Sequence, residues 1–265
     1  MDSPIIVKLG GSVITFKGSS PPRVNDEQLS RIAEELTVCN SPLILVLGGG
    51  AHGHQAAHKH GFGTPNSSSE QLLAGIPDIR HNMSLLASRV ESEMNHQGVP
   101  SVVFSPFTFV TLQDNLIDDF PLDIIKKTLK TGAAVIIHGD VCFDRTKSVS
   151  ILSGDTIAVY LAEKLSAKAV FIGTNVDGVL EENPQINPRA EYIPLINRVN
   201  INQVLAHTGP SSDTDVTGGM TKKISELLEL SNQNVDIAIF NLLIPGRLTD
   251  LLNEKPTICT RIQIS

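Results

Sequence analysis

Two glycine clusters, each following a short apolar run, hold the residues best suited to chemistry. The first is Lys8-Leu9-Gly10-Gly11-Ser12, directly after Ile5–Val7. The second is Gly48-Gly49-Gly50-Ala51-His52-Gly53-His54, directly after Leu43–Leu47. Glycines at the carboxyl ends of strands leave backbone N–H groups bare, and such groups face anions. Two such loops on one sheet, with a lysine entering the first, describe a cradle for phosphate. Gly48, Gly50 and Gly53 also satisfy the dinucleotide fingerprint G-x-G-x-x-G. That fingerprint needs an acidic residue about 20 positions on, at the end of the next strand. Glu70 sits near that distance but in a polar, serine-rich segment opening a helix, so the dinucleotide reading is rejected.

Further clusters follow: Gly139-Asp140, Ser153-Gly154-Asp155, Thr174-Asn175-Val176-Asp177-Gly178-Val179, and Asp215 to Lys223 through Gly218, Gly219, Met220 and Lys222. Each follows a strand or opens a helix. Alone, Asp177-Gly178 is a common turn pair, Asp215–Gly219 a capping loop and Lys17 a solvated lysine. Their order and number along one chain give them joint meaning.

The elements that must position these groups are legible as short apolar runs: Ile5–Leu9, Leu43–Leu47, Val102–Phe104, Ala134–Ile137, Ala169–Ile172 and Val235–Phe240. Several are continuous rather than alternating, as strands buried on both faces require. Asn25 caps a helix bearing Leu29, Ile32, Ala33 and Leu36 at helical spacing. After Pro77, a longer stripe places Ile79, Met83, Leu86, Val90 and Met94 on one face. Further helices are expected near Thr156–Leu165, Ile201–His207 and Met220–Leu230. Strands alternating with helices predict an α/β fold, a mainly parallel sheet covered on both faces. Gly18–Pro22, Gly63–Ser69 and Gly209–Asp215 read as mobile loops. No internal repeat or low-complexity tract interrupts the chain.

The 265 residues, 41% hydrophobic and 18% charged, can bury a large core. A net charge of −7 argues against nucleic acid or an anionic membrane as the partner. The three cysteines, Cys39, Cys142 and Cys259, lie far apart and imply neither a disulfide framework nor a paired-cysteine metal site. With no signal peptide visible and no apolar run of about 20 residues, a soluble cytoplasmic protein is expected.

The series KLGGS, GGG-x-x-GH, SGD, T-x-VDGV and DVTGGM-x-x-K resembles the amino acid kinase superfamily from residue 5 to the C-terminus. Within it, His54 and DVTGGM resemble the isopentenyl phosphate kinase branch. That resemblance implies a single open αβα sandwich over residues 1–265, with an acceptor-binding part at about 1–165 and a nucleotide-binding part at about 166–265. It implies a homodimer, and transfer of the γ-phosphate of ATP onto isopentenyl phosphate. Lys8, Gly10, Gly11 and Ser12 then hold the transferring phosphate, with Lys17 near the acceptor phosphate. Gly49, Gly50, Gly53 and His54 bind the acceptor, and Ser153, Gly154 and Asp155 wall the junction. Thr174, Asp177, Gly178, Val179, Gly218, Gly219, Met220 and Lys223 serve the nucleotide. By the same resemblance, the helix after Pro77 lines the acceptor pocket through Ile79, Met83 and Leu86.

The chain departs from the branch pattern at Ala51 and His52, which replace a serine and a phenylalanine. It departs again at Asn175, Lys222, Leu242 and Cys259. Lys222 leaves open which lysine of Lys222 and Lys223 reaches phosphate. Two alternatives remain: a related kinase for another acceptor such as fosfomycin, and a non-catalytic nucleotide sensor. Joint presence of Lys8, His54, Asp155 and Lys223 speaks against the sensor.

When both reactants carry phosphate, catalysis is alignment and neutralisation of charge. Lysines, backbone donors and Mg²⁺ meet that need. Mg²⁺ that keeps several waters and bridges nucleotide phosphates requires no carboxylate cage, and is expected to enter with ATP.

Overall fold

Burial on both faces is what makes the apolar runs strands. In the computed structural model, which describes residues 2–64, 67–182, 187, 189–207, 219–230 and 234–263, their side chains point alternately into two separate cores. The chain begins with β1 (Ile5–Leu9), α1 (Gly11–Ile14), α2 (Asp26–Leu36) and β2 (Leu43–Leu47). Helices α3 (Gly50–Lys59), α4 (Ser69–Ala74) and α5 (Ile76–His96) precede β3 (Ser101–Phe104), β4 (Thr111–Gln113) and β5 (Leu116–Asp119). Next come α6 (Asp123–Lys130), β6 (Ala134–His138), β7 (Asp140–Asp144), β8 (Ser148–Leu152), α7 (Gly154–Leu165) and β9 (Ala169–Thr174). The remainder holds β10 (Leu195–Ile196), α8 (Ile201–His207), α9 (Gly219–Leu228), β11 (Asp236–Asn241), α10 (Arg247–Leu252) and β12 (Cys259–Ile262).

One eight-stranded sheet, in the order β10-β12-β11-β9-β1-β2-β6-β3, runs through both halves of the chain. All its pairings are parallel except β11 with β12. Val7, Leu9, Leu45 and Leu47 pack on one face with α2, α5 and α10. Ile6, Ile44, Val46 and Ile137 pack on the other with α6, α7 and α9. The expected αβα layering is therefore present. Asn25 caps α2 by accepting from Gln28 N. Ile79, Met83, Leu86, Val90 and Met94 form the buried stripe of α5.

Several expectations need correction. The second glycine cluster does not stay a loop: its backbone enters α3 at Gly50, so His52, Gly53 and His54 are helical. Glycine is a poor helix former, and here tertiary contact overrides that preference. Ser69 begins α4 rather than ending a loop. A four-stranded sheet, β5-β4-β7-β8, was not foreseen. Its two tight turns are tied by the buried Asp144 carboxylate, which accepts from Asp114 N, Asn115 N, Lys147 N and Ser150 Oγ. The segment Gly209–Asp215 lies outside the described residues. Among those residues, no helix is long and apolar enough to cross a membrane.

Candidate active site

The carboxyl ends of β1, β2 and β6 and the amino ends of α3 and α7 border one cleft. Lys8, Gly48 and Gly139 line it from the strand ends, and Gly53, His54 and Ala57 from α3. Ile79 and Met83 line it from α5, Ile151 and Leu152 from β8, and Ser153, Gly154 and Asp155 from the start of α7. Open α/β sheets bind ligands outside the carboxyl ends of their strands. The first turns of two helices add N–H groups and positive dipole ends suited to an anion.

The two glycine clusters reach this place by packing backbone on backbone. A Cβ on Gly11 would strike the backbone of Gly50. Gly50 itself has φ near +50°, where a side chain is strained. Thr15 locks the junction, its Oγ1 donating to Gly11 O at 2.7 Å and accepting from Ala51 N at 3.1 Å.

Three charges converge below the glycines. Lys8 Nζ lies 2.7 Å from Asp155 Oδ1, and Lys223 Nζ lies 2.7 Å from Asp155 Oδ2. All three side chains are nearly buried. Burial would raise the Asp155 carboxyl, yet Lys223 and Lys8 together hold it well below the usual carboxylate range. Burial, joined by the nearby Lys223 and opposed by Asp155, lowers the Lys8 ammonium to about 8. Two ammonium groups against one carboxylate leave this cluster positive in a chain of net charge −7. Of the two neighbouring lysines, Lys223 turns to Asp155, whereas Lys222 is half exposed, 3.8 Å from Glu226.

The other expected residues divide. Gly49 lines the cleft with Gly53 and His54. Ser153 caps α7, and its Oγ accepts from Thr156 N. Gly10 and Ser12 join β1 to the end of β9, where Gly10 N donates to Gly173 O at 3.0 Å and Ser12 Oγ to Asn175 Oδ1 at 3.3 Å. Thr174 ends β9 and Asp177, Gly178 and Val179 follow it, beside the cleft rather than in its lining. Asp177 accepts from Arg247 at 2.6 Å and Asn241 at 3.1 Å. Val179 is buried, its N–H donating to Thr260 Oγ1 at 2.8 Å, and Gly178 abuts the same threonine. Gly219 and Met220 open α9; Gly218 lies outside the described residues. Lys17 is exposed on the turn after α1 and does not line the cleft. Leu86 is fully buried in the core and does not line it either. His52, one of the departures, is buried away from the lining, and burial lowers its imidazole pKa.

Sequence reasoning passed over two residues here. Asp140 lines the cleft and is paired with Arg80 of α5. The Gly139-Asp140 pair stands out in the sequence, but nothing there links it to an arginine 60 positions earlier.

Known proteins share this sequence pattern and fold. A model of the amino acid kinase family matches residues 3–241. The chain belongs to that family. Isopentenyl phosphate kinase of Methanothermobacter thermautotrophicus is 33% identical over 264 residues, covering 97% of this chain and 98% of that protein. The Methanocaldococcus jannaschii enzyme of the same name is 34% identical over 229 residues, covering 83% of this chain and 84% of that one. A crystal structure of an isopentenyl phosphate kinase superposes with a TM-score of 0.85 at 30% identity, covering 98% of this chain and all of that one. This amino acid kinase is thus a phosphotransferase of the isopentenyl phosphate kinase branch.

Proposed function

We propose that this kinase transfers the γ-phosphoryl group of ATP to a phosphate oxygen of isopentenyl phosphate, giving isopentenyl diphosphate and ADP. One observation carries the reading: the cleft joins a buried Lys8–Asp155–Lys223 cluster to an apolar wall of Ala57, Ile79, Met83 and Ile151. A charged head with a short hydrocarbon tail needs both. A new O–P bond forms at the acceptor phosphate as the bond from the γ-phosphorus to the bridging oxygen breaks. No proton needs to leave an acceptor that is already ionised.

In this scheme Lys8 and Lys223 neutralise the transferring group, and Asp155 holds their ammonium groups where the charge develops. The N–H groups of Gly11 and Ser12 face the same phosphoryl oxygens, while Gly10, whose N–H is given to Gly173 O, holds this turn against β9. Gly49, Gly50, Gly53 and His54 hold the acceptor phosphate, and Ser153 and Gly154 close the junction. Thr174, Asp177, Gly178, Val179, Gly219 and Met220 serve the nucleotide, so that acceptor and nucleotide meet where β1 adjoins β9. Among the described residues no group of three or more His, Cys, Asp or Glu could hold a resident ion. The nucleotide would instead bring Mg²⁺ as its complex, screening the β- and γ-phosphates.

A panel of acceptors with ATP consumption as readout tests the proposal. Isopentenyl phosphate should turn over well above background. Turnover of fosfomycin with none of isopentenyl phosphate would overturn the acceptor, and ATP binding without any turnover would overturn the activity.

The tail reading gives a second expectation. Ile79→Ala and Met83→Ala should each improve use of longer prenyl phosphates relative to isopentenyl phosphate. Leu86→Ala should leave that preference alone and cost about 2–5 kcal/mol of stability, as emptied core sites do. An unchanged preference in both cleft variants would remove α5 from the tail site. We propose a homodimer as well. The α5 stripe is consumed by the chain's own core, and we assign the second copy to the edge strand β3, with exposed Val102. Light scattering at 28.5 kDa would contradict it.

A further inference from the structure

One wall of the cleft is held by a charged pair that the transfer itself does not use. Arg80 follows Ile79 on α5, and Asp140 opens β7 just past the end of β6. The Arg80 guanidinium bonds Asp140 Oδ2 and lies 5.3 Å over the Phe107 ring. The same oxygen accepts from Ser105 Oγ at 3.1 Å and Phe107 N at 3.4 Å, while Oδ1 accepts from Val141 N at 2.9 Å. His138 Nδ1 stands 3.7 Å from this carboxylate. The Asp140 side chain has no exposed surface. Burial pushes its carboxyl pKa up against the pull of His138 and Arg80.

The pair connects the two apolar walls almost residue by residue. In the β7–β8 ladder Asp140 faces Leu152 and Val141 faces Ile151. Fixing Asp140 therefore fixes Ile151 and Leu152. Fixing Arg80 fixes Ile79 and, one turn on, Met83. Those four side chains line the cleft. Methionine is unbranched and adaptable, so apolar contact alone would let this gap widen or narrow. A carboxylate bonded on several sides is a rigid stop. A buried ion pair adds little stability over apolar residues of equal volume, but it does set a separation.

We infer that the Arg80–Asp140 pair sets the width of the apolar pocket, and with it the bulk of the acceptor tail admitted. The inference rests on the alkyl phosphate reading above. Arg80 and Asp140 are positioning residues here, acting through Ile79, Met83, Ile151 and Leu152.

The test is the double variant Arg80→Met/Asp140→Asn, which removes both charges and leaves neither buried alone. Its kcat/KM is measured with isopentenyl phosphate and with geranyl phosphate, together with KM for ATP and Tm. The ratio of geranyl to isopentenyl use should rise about tenfold or more, the scale on which apolar pockets discriminate, with KM for ATP within about twofold of the wild type. A folded double variant with an unchanged ratio, and an equal loss on both acceptors, would reduce the pair to a structural tie and overturn the inference. If the double variant does not fold, Arg80→Lys decides: shorter and unable to fork, it should raise the ratio in the same direction, and an unchanged ratio overturns the inference. Wild-type protein inactive on both prenyl phosphates would instead overturn the reading of the site, and the inference with it.

Discussion

Asp155→Asn is expected to lower kcat by about a thousandfold, the upper range for losing preorganised electrostatic groups, while the folded protein still binds ATP. The carboxylate touches two ammonium groups, so its removal disorders two donors at once. The cost should also appear in the pH profile. Lys8 must be charged to neutralise phosphate, and in the free enzyme its pKa is lowered to about 8. Wild-type kcat/KM for ATP should therefore fall as pH rises through about 8. Asp155 is the group that raises the Lys8 pKa against burial and Lys223. Without its charge, Lys8 loses its proton at lower pH, and the alkaline limb moves toward acid. A variant within tenfold of wild type, with its alkaline limb unmoved, would show that the cluster is structural. Thermal melting of the variant is needed alongside, because unpaired buried cations also destabilise.

How far this cluster could be read from sequence depends on what fixes each member. Lys8 and Asp155 stand in glycine motifs next to apolar runs, and those runs were legible because β1, β2, β6 and β9 are buried on both faces. The motif order placed Lys8 and Asp155 at one site, but their pairing across 147 positions was not legible. Which of Lys222 and Lys223 faces Asp155 was not legible. Adjacent helical residues point about 100° apart, so the answer lies in the phase of α9 against α7. The helix α3 was hidden because Gly50 and Gly53 argue locally against it. Packing of Gly11 on Gly50 is a contact between distant segments, and no window of sequence contains it. The four-stranded sheet was hidden for a related reason. Two of its strands, β4 and β5, have only three and four residues, and its turns are closed by one side chain, Asp144, rather than by an apolar pattern. Asp140 stood out in the sequence only beside Gly139 and Arg80 not at all, and only the crossing of α5 over β7 makes them a pair.

His54 carries the second large expectation, and it separates two roles open to a histidine at an acceptor phosphate. It lines the cleft from the first turns of α3, partly buried, on the same side as Ala57. A general base helps when a nucleophile must lose a proton during attack. A phosphate monoester has its second pKa near about 6, so above neutral pH its attacking oxygen is already ionised. A base would find almost nothing to remove. A donor, by contrast, orients the acceptor phosphate and offsets its charge against the approaching γ-phosphate. His54→Ala should therefore cost about a hundredfold in kcat/KM for the acceptor, the scale of one lost preorganised donor. His54→Gln and His54→Asn keep an N–H donor and cannot take up a proton in this range, so they should recover a measurable part of the loss. The recovery should persist from neutral pH upward, where a base mechanism predicts none. If both amides are as inactive as alanine, with folding and ATP binding intact, the donor role fails. Proton removal, or the charge of the imidazolium itself, would then be what the acceptor requires.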